Sequence, residues 1–584
     1  MLIKKAKDWL QKIYQWFKIG ERVIYLEFAI ISFFILGPLV WHTGYVFAID
    51  MVFVPKLRFP AVVDSFYLLH ALFWLFNLAL PSWLIQKFLL FLVPFLSGIS
   101  MYRLITTESR WPKYFAAFFY IFNPFTYSRF LYGHLLILLA YALTPFVIKA
   151  IIDFFNDLSW RRAFRVVGWL TVITLVDFRS TFFILFFLAV YGLIFLALRV
   201  RQIAVLKKLF FYAVVMAAVF TLVNSFWLVP SVLGHNQLLD FVTSGIDNND
   251  ILAFQTVSDN QLGIFWNTAA MYGFWGDREL TYVPQKDIVP YWFPLFLVIL
   301  LVAIWGLVST LFLNKKFKFY DQNQDGNRLV TILTLLIIGL FSWIFVIGVA
   351  HPYTRPLVSW LYQNIVYFKG YREPQKFISL LVLVYAYLGA WGVDNLIKLL
   401  PQSRWFSGNK IWRGLVVTAL ITLPLLYSPG LLYAFGGQLK NSQYPASWFE
   451  VNQLLNEDPN NFKTLVLPWH QYLEFPWSAG KTIGNPADTF FDQPVIAGDN
   501  IEMKYIYTQS SRPESKFIED KIISNPDRMI DLGESLNKLN IKYVILATGG
   551  TSPTYLYLNN SPDLQLIYWS EEIALYINKT WPGK

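Results

Sequence analysis

The chain has 584 residues, of which 56% are hydrophobic and 15% charged, and its repeated apolar runs of spanning length mark an integral membrane protein, not a string of soluble domains. It contains no cysteine, which excludes disulfides, thiolate metal sites and cysteine nucleophiles. Its net charge of +11 gathers in short loops between apolar runs, a topology bias and not a nucleic-acid footprint.

Residues 1–22 read as an amphipathic interfacial helix. Trp9, Leu10, Ile13, Trp16 and Phe17 share one face, and Lys4, Lys5, Lys7, Lys12 and Lys18 cover the rest, so the segment suits the cytoplasmic membrane surface. The run Val23 to Trp41 is the first span. The loop after it carries Asp50 among aromatic and aliphatic neighbours, where a carboxylate costs free energy unless it has a partner or a task. Solvation by headgroups or pairing with Lys56 or Arg58 is one reading of Asp50. A catalytic base facing a lipid-linked substrate is the other.

An apolar helix at the outer surface is expected over 66–80, with His70 and Asn77 in it. Further spans are expected at 84–100, 114–125, 135–152, 166–177, 181–198, 209–230, 290–313, 330–350, 376–398 and 414–434. With the first that makes eleven, those at 114–125 and 166–177 being short. With the N-terminus inside, every inner connection is basic (Arg103/Arg110/Lys113, for example, or Arg161/Arg162/Arg165), as topology requires. The fold class is thus a polytopic α-helical membrane protein, spanning over 23–434, with outer loops 43–83, 231–289 and 351–375. Residues 435–584 lose hydropathy and read as a small α/β domain on the extracytoplasmic side of the plasma membrane. Its strands are expected at 462–467 and 541–547, a helix end at 535–539, and a closing hairpin of 564–569 with 573–577.

Three outer clusters carry candidate chemistry. In Asn123-Pro-Phe-Thr-Tyr-Ser-Arg129 through His134, the Asn-Pro step stops a span and leaves Arg129 and His134 at an outer turn, where a phosphate or a structural role suits them equally. Asp177 and Arg179, two apart on a turn, read first as a mutual pair. In Tyr371-Arg372-Glu373-Pro-Gln-Lys376, two cations sit at a helix start, where an external anion explains them better than the dipole does. Asp247 and Asp250 read as a turn cluster before a cation site. There is no nucleotide-phosphate loop, dinucleotide fingerprint, zinc motif or Ser-His-Asp ordering, which disfavours an ATP-driven pump.

These stretches together resemble the GT-C-fold membrane glycosyltransferases that use polyprenyl-phosphate sugars. The text is most similar to arabinofuranosyltransferases of the D type and to YfhO-type membrane proteins. The likeness rests on Gly44 to Asp50, Asn123-Pro through Arg129, Gly133-His134 and Ala140-Tyr141, Asn224 to Pro230, Arg372 to Phe377, and Leu536 to Ile545. It implies that Asp50 is the first-loop base, removing a proton from an acceptor hydroxyl while a C1–phosphate bond breaks with inversion. Arg129, His134, Arg179, Arg372 and Lys376 would then serve the lipid phosphate, and Asp177, Asp247, Asp277 and Glu373 are the other acidic candidates. Asp50 is followed here by Met51-Val52 where the arabinofuranosyltransferases have Thr-Lys, so the sugar does not carry over. The partners implied are a polyprenyl-phosphate-linked sugar donor, a glycan, lipid or protein acceptor, and membrane lipid, with no nucleic acid. No protein metal site is expected, and a divalent cation, magnesium or manganese, stays open as a cofactor. Trp266, Tyr272, Phe274, Trp275, Trp469 and Trp477 suit sugar stacking or the membrane interface. A flippase for lipid-linked glycans would place ionisable residues in mid-membrane, where few are found. A non-catalytic assembly protein would tolerate loss of Asp50.

Overall fold

A computed structural model describes residues 22–233, 248–313, 324–400, 410–510, 512–524, 531–547 and 553–583. The interfacial helix expected over 1–22 lies, but for Arg22, outside these residues, and so does Asp247. The helices that frame the site are α1 Val23–Trp41, α2 Tyr67–Asn77, α3 Ser82–Leu104, α4 Arg110–Ile121, α5 Pro124–Leu131, α6 Leu135–Asn156, α7 Trp160–Val176, α8 Phe178–Ala197, α9 Ile203–Val223, α10 Trp292–Val308, α11 Gln324–Ile347, α12 Ile378–Leu399 and α13 Lys410–Tyr427.

Among the described residues eight helices are long and apolar enough to cross a membrane, nine if α13 and the helix after it, bent by 63°, form one broken span. Eleven spans are expected from hydropathy, and the described residues supply eight or nine helices of that length and character. The two shortfalls are α4, of 12 residues, and α7, of 17. At 1.5 Å per residue they reach about 18 and 25 Å, against about 30 Å of hydrocarbon. Local chemistry sets both lengths. Asn123 must be extended before Pro124 (φ −154°, ψ 160°), which stops α4, and its Oδ1 then accepts from Thr126 N at 2.9 Å to start α5. Helix α7 ends at Asp177, whose carboxylate caps α8 by accepting from Ser180 N at 3.2 Å and Ser180 Oγ at 2.7 Å. The apolar stretch at 66–80 forms α2, which buries none of its side chains.

Helix α12 is the centre of the bundle. It packs against α4, α10 and α11, and fifteen of its 22 residues are buried. The α10–α12 crossing has no room for side chains: a Cβ on Gly306 would lie 1.9 Å from Leu388 O, and one on Gly392 2.0 Å from Val302 O. Such small-residue contacts let membrane helices associate through backbone packing, where lipid supplies no hydrophobic drive.

The C-terminal part is α/β. A mixed five-stranded sheet runs in the order β6-β3-β7-β9-β8, where β3 is Lys463–Leu467, β6 Val495–Ile496, β7 Ile541–Leu546, β8 Leu564–Trp569 and β9 Ala574–Asn578. Strand β3 is parallel to both β6 and β7, and β8 and β9 form the closing hairpin. A separate hairpin, β4 Tyr472–Glu474 with β5 Thr482–Gly484, faces the Asp50 loop. Two backbone ties join the loop to the C-terminal part: β1 Tyr45–Val46 pairs antiparallel with β2 Asn441–Ser442, and Gly484 N donates to Ile49 O at 2.8 Å.

Replacing Gly392 by Leu forces the crossing apart and is expected to cost about 1–3 kcal/mol or more, read as a lower thermal midpoint in detergent. Gly168 in α7 has nothing within 4 Å of its Cβ position. Gly168→Ala should therefore leave the midpoint unchanged or raise it, and equal losses in the two variants would refute the packing account.

Candidate functional site

Asp50 is held by groups from three distant parts of the chain. Its Oδ2 accepts from His134 Nε2 at 3.0 Å and its Oδ1 from the Tyr472 hydroxyl at 2.6 Å. Its own backbone N–H donates to Tyr132 O at 3.1 Å. The turn that makes this possible needs Gly133: at φ +77° it lies in the left-handed region, and a Cβ there would meet Met51 N at 2.6 Å. That turn is set by the Asn123 cap described above and by the Tyr120–Tyr141 pair. Their rings stack at 4.0 Å, and each hydroxyl donates to the other residue's carbonyl.

The hydrogen bonds fix the state of His134. Arg129 Nη1 can only donate, and it lies 2.8 Å from His134 Nδ1, so Nδ1 carries no proton and Nε2–H points at Asp50. Burial and the adjoining Arg129 guanidinium push the imidazole pKa down, which keeps it neutral. Burial raises the Asp50 carboxyl, but the hydrogen bonds from His134 and Tyr472 outweigh it and leave the group below its ordinary value of 3.8. Asp50 is an ionised carboxylate with its side chain 38% exposed.

Behind His134 the chain of contacts continues. Arg129, 1% exposed, also donates to Glu373 Oε2 at 2.5 Å, while Lys376 Nζ reaches Glu373 Oε1 at 3.1 Å and Trp275 Nε1 reaches Oε2 at 3.3 Å. Burial opposes ionisation of Glu373, but Lys376 and Arg129 hold its carboxyl well below the ordinary range. Arg129 is thus a buried counter-ion that orients His134, not a surface cation.

Two cavities meet at Asp50. The larger, about 510 Å³, has mostly apolar walls from Met51, Phe53, Val54, Phe73, Leu135 and Leu136, with Asp50, Arg58, His70, His134, Arg179, Glu373 and Thr489 as its polar members. Arg179 gives its Nε to Asp177 at 2.7 Å, and its terminal nitrogens have no hydrogen-bond partner among the described residues. The smaller, about 340 Å³, is polar and lies between the Asp50 loop and the β4–β5 region. Asp50, Val52 and Thr489 line both.

The five cations expected at a phosphate separate accordingly. His134 and Arg179 line the larger cavity. Arg129 sits behind His134, Lys376 lies with Arg179 in a cleft of about 20 Å³ beside it, and Arg372 faces Asp250 at 3.9 Å and the Phe254 ring. Of the other acidic candidates, Asp177 caps α8 and pairs with Arg179, Glu373 joins the ion network, and Asp277 lines neither cavity. Burial pushes Asp277 up to about 7. The pairing of Asp50 with Lys56 or Arg58 does not occur: Lys56 reaches Asp492 at 3.1 Å, and Arg58 donates to the carbonyls of Asp488 and Phe491. Tyr272, Phe274, Trp275, Trp469 and Trp477 are buried in hydrophobic clusters and offer no face for stacking; Trp266 is exposed but lines neither cavity. Among the described residues no three His, Asp or Glu side chains group into a metal-holding set. Tyr472 was not among the sequence candidates, because nothing local distinguishes it; its role appears only when the chain returns to Asp50 after 422 residues.

No protein-family model and no curated protein sequence matches the chain. Among solved structures it is similar to the cryo-EM structure of arabinofuranosyltransferase AftD from Mycobacteria, with a TM-score of 0.59 and 13% identity over 96% of this chain and 40% of that one. A second AftD structure, of a mutant, gives 0.56 and 13% over 96% and 42%. The chain therefore spans about two-fifths of the length of those structures. What the chain shares with AftD is its fold, in keeping with the resemblance read from the sequence.

Glu373→Gln leaves Arg129 and Lys376 buried without their carboxylate and is expected to cost about 3–5 kcal/mol of stability. Combining it with Arg129→Met should cost less than the sum of the single changes, measured as a double-mutant cycle of unfolding midpoints. Strict additivity would show that the pair is not coupled.

Proposed function

We propose that the protein is an integral-membrane glycosyltransferase that moves a sugar from a polyprenyl-phosphate donor to an acceptor hydroxyl on the extracytoplasmic face, inverting the anomeric centre. The observation that carries this reading is the position of Asp50, an ionised carboxylate in the wall shared by an apolar cavity with guanidinium groups and a polar cavity. The apolar cavity suits the prenyl-phosphate end of the donor.

Asp50 removes the proton from the acceptor hydroxyl as the acceptor oxygen bonds to C1. The C1–O bond to phosphate breaks, and its electron pair leaves with the phosphate oxygen. Arg179 and Arg58 supply positive charge where the leaving phosphate gathers negative charge. His134 is a positioning residue: its Nε2–H orients the carboxylate, and Arg129 and Glu373 fix its tautomer. The fold shared with AftD supports this class of reaction, and the sugar and acceptor are left to experiment.

Asp50→Asn keeps the shape of the site and removes the base. Transfer from radiolabelled polyprenyl-phosphate sugars to membrane acceptors should fall by about 10²–10⁴-fold with folding and polyprenyl-phosphate binding retained. Undiminished transfer would remove Asp50 from the mechanism. Tyr472→Phe deletes one hydrogen bond to the ionised carboxylate, so the Asp50 pKa rises. A base active above its pKa is then protonated sooner on acidification, so the acid limb of the kcat/KM profile should move to higher pH. An unmoved limb would show that another group titrates.

A further inference from the structure

Resting on the glycosyltransferase reading, we propose that the polar cavity between the Asp50 loop and the β4–β5 region is the acceptor site, built for a neutral, hydroxyl-rich sugar terminus. Its attacking hydroxyl would replace the Tyr472 hydroxyl on Asp50.

Size comes first. At about 340 Å³ the cavity is at the lower end of ordinary small-molecule sites, about 300–1,000 Å³, which suits one or two sugar units and not a folded partner. Charge selects next. The lining carboxylates Asp50, Asp488 and Asp499 face a single guanidinium, Arg512, which is itself 3.3 Å from Asp499. An anionic ligand is repelled here, in contrast to the guanidinium-bearing cavity on the other side of Asp50.

Hydrogen-bonding capacity then fits a polyol. Asn485 is tied by its backbone N–H to Gln471 O at 2.8 Å, and its Oδ1 accepts from Ala487 N at 3.1 Å. Its Nδ2 is buried and has no hydrogen-bond partner among the described residues, so a small turn of this side chain would present a donor to the cavity that its residue lines. Carboxylates beside it accept, and a sugar hydroxyl both donates and accepts. The Tyr472 ring adds an aromatic wall.

The position of Tyr472 gives the site its function. Its hydroxyl lies 2.6 Å from Asp50 Oδ1, the oxygen that faces this cavity's own residues, while Oδ2 is held by His134. A sugar hydroxyl in its place keeps the number of hydrogen bonds to the carboxylate unchanged. Tyr472 thus holds the base in this structure and would yield to the substrate.

The absence of cysteine from the chain gives a direct test. Gln471 lines the cavity, is exposed, and makes no side-chain hydrogen bond among the described residues, so Gln471→Cys offers one labelling site with little cost to folding. The full chain in nanodiscs, unlabelled or carrying a bulky dye maleimide, would be examined by saturation-transfer NMR with methyl α-D-arabinofuranoside, methyl α-D-mannopyranoside and maltotriose. Decaprenyl phosphate binding would be followed by native mass spectrometry. The expected result is glycan signal from the unlabelled protein, at least fivefold weaker after labelling, with decaprenyl phosphate binding changed less than twofold. No signal from any of the three glycans, signal indifferent to the label, or equal loss of lipid and glycan binding would each overturn the acceptor assignment. Glycan binding without any binding of decaprenyl phosphate would instead count against the donor reading and leave the polar cavity as a sugar site.

Discussion

The site depends on one run of hydrogen bonds, Tyr472–Asp50–His134–Arg129–Glu373, that begins at a partly exposed carboxylate and ends in a buried ion cluster. Each link constrains the next. Arg129 has no lone pair with which to accept a hydrogen bond, so it decides which imidazole nitrogen is bare; the bare nitrogen decides which one donates; that donor keeps Asp50 ionised and aimed. Glu373 makes the burial of Arg129 tolerable, and Lys376 makes the burial of Glu373 tolerable. A buried guanidinium without this succession would be a liability instead of a lever.

The surrounding fold is what brings the links together. Glu373 and Lys376 stand at the start of α12, whose course is fixed by a glycine crossing with α10 and by packing against α4. Arg129 and His134 come from the short helix and turn that Asn123 and Pro124 create between α4 and α6. Asp50 comes from the loop after α1, and Gly133 allows that loop to lie directly on the turn. Shortness is therefore useful in this bundle: because α4 stops early, a capped helix and a polar turn fit where a full span would have placed apolar residues.

Much of this was legible in the sequence, for reasons of local chemistry. Apolar runs of spanning length gave most of the long helices, and alternating or apolar segments at 462–467, 541–547 and 564–577 correspond to strands that form. Asp50, Arg129, His134, Glu373 and Lys376 stood out because ionisable residues are costly beside a membrane, and the structure brings all five into one network. Which of them touches open space was not legible. Burial of Arg129, the engagement of Arg372 with Asp250, and the removal of Trp469 and Trp477 into the core are products of packing between segments hundreds of residues apart. Hydropathy also did not show how short α4 and α7 are, since it registers apolar content and not where a cap ends a helix. Tyr472 had no local signal at all.

The two backbone ties between the Asp50 loop and the C-terminal part bear on the order in which the protein is made. Strand β1 is synthesised with α1, but its partner β2 and the Tyr472 hydroxyl emerge far later, the latter 422 residues after Asp50. At about 5–20 residues per second this interval is roughly 20–80 seconds. Throughout it the helices are entering the membrane while the first loop has neither its strand partner nor the hydroxyl that covers its carboxylate. A nascent chain thus carries the Asp50 carboxylate long before it carries the segments that cover it, and those later segments turn an exposed loop into an enclosed one.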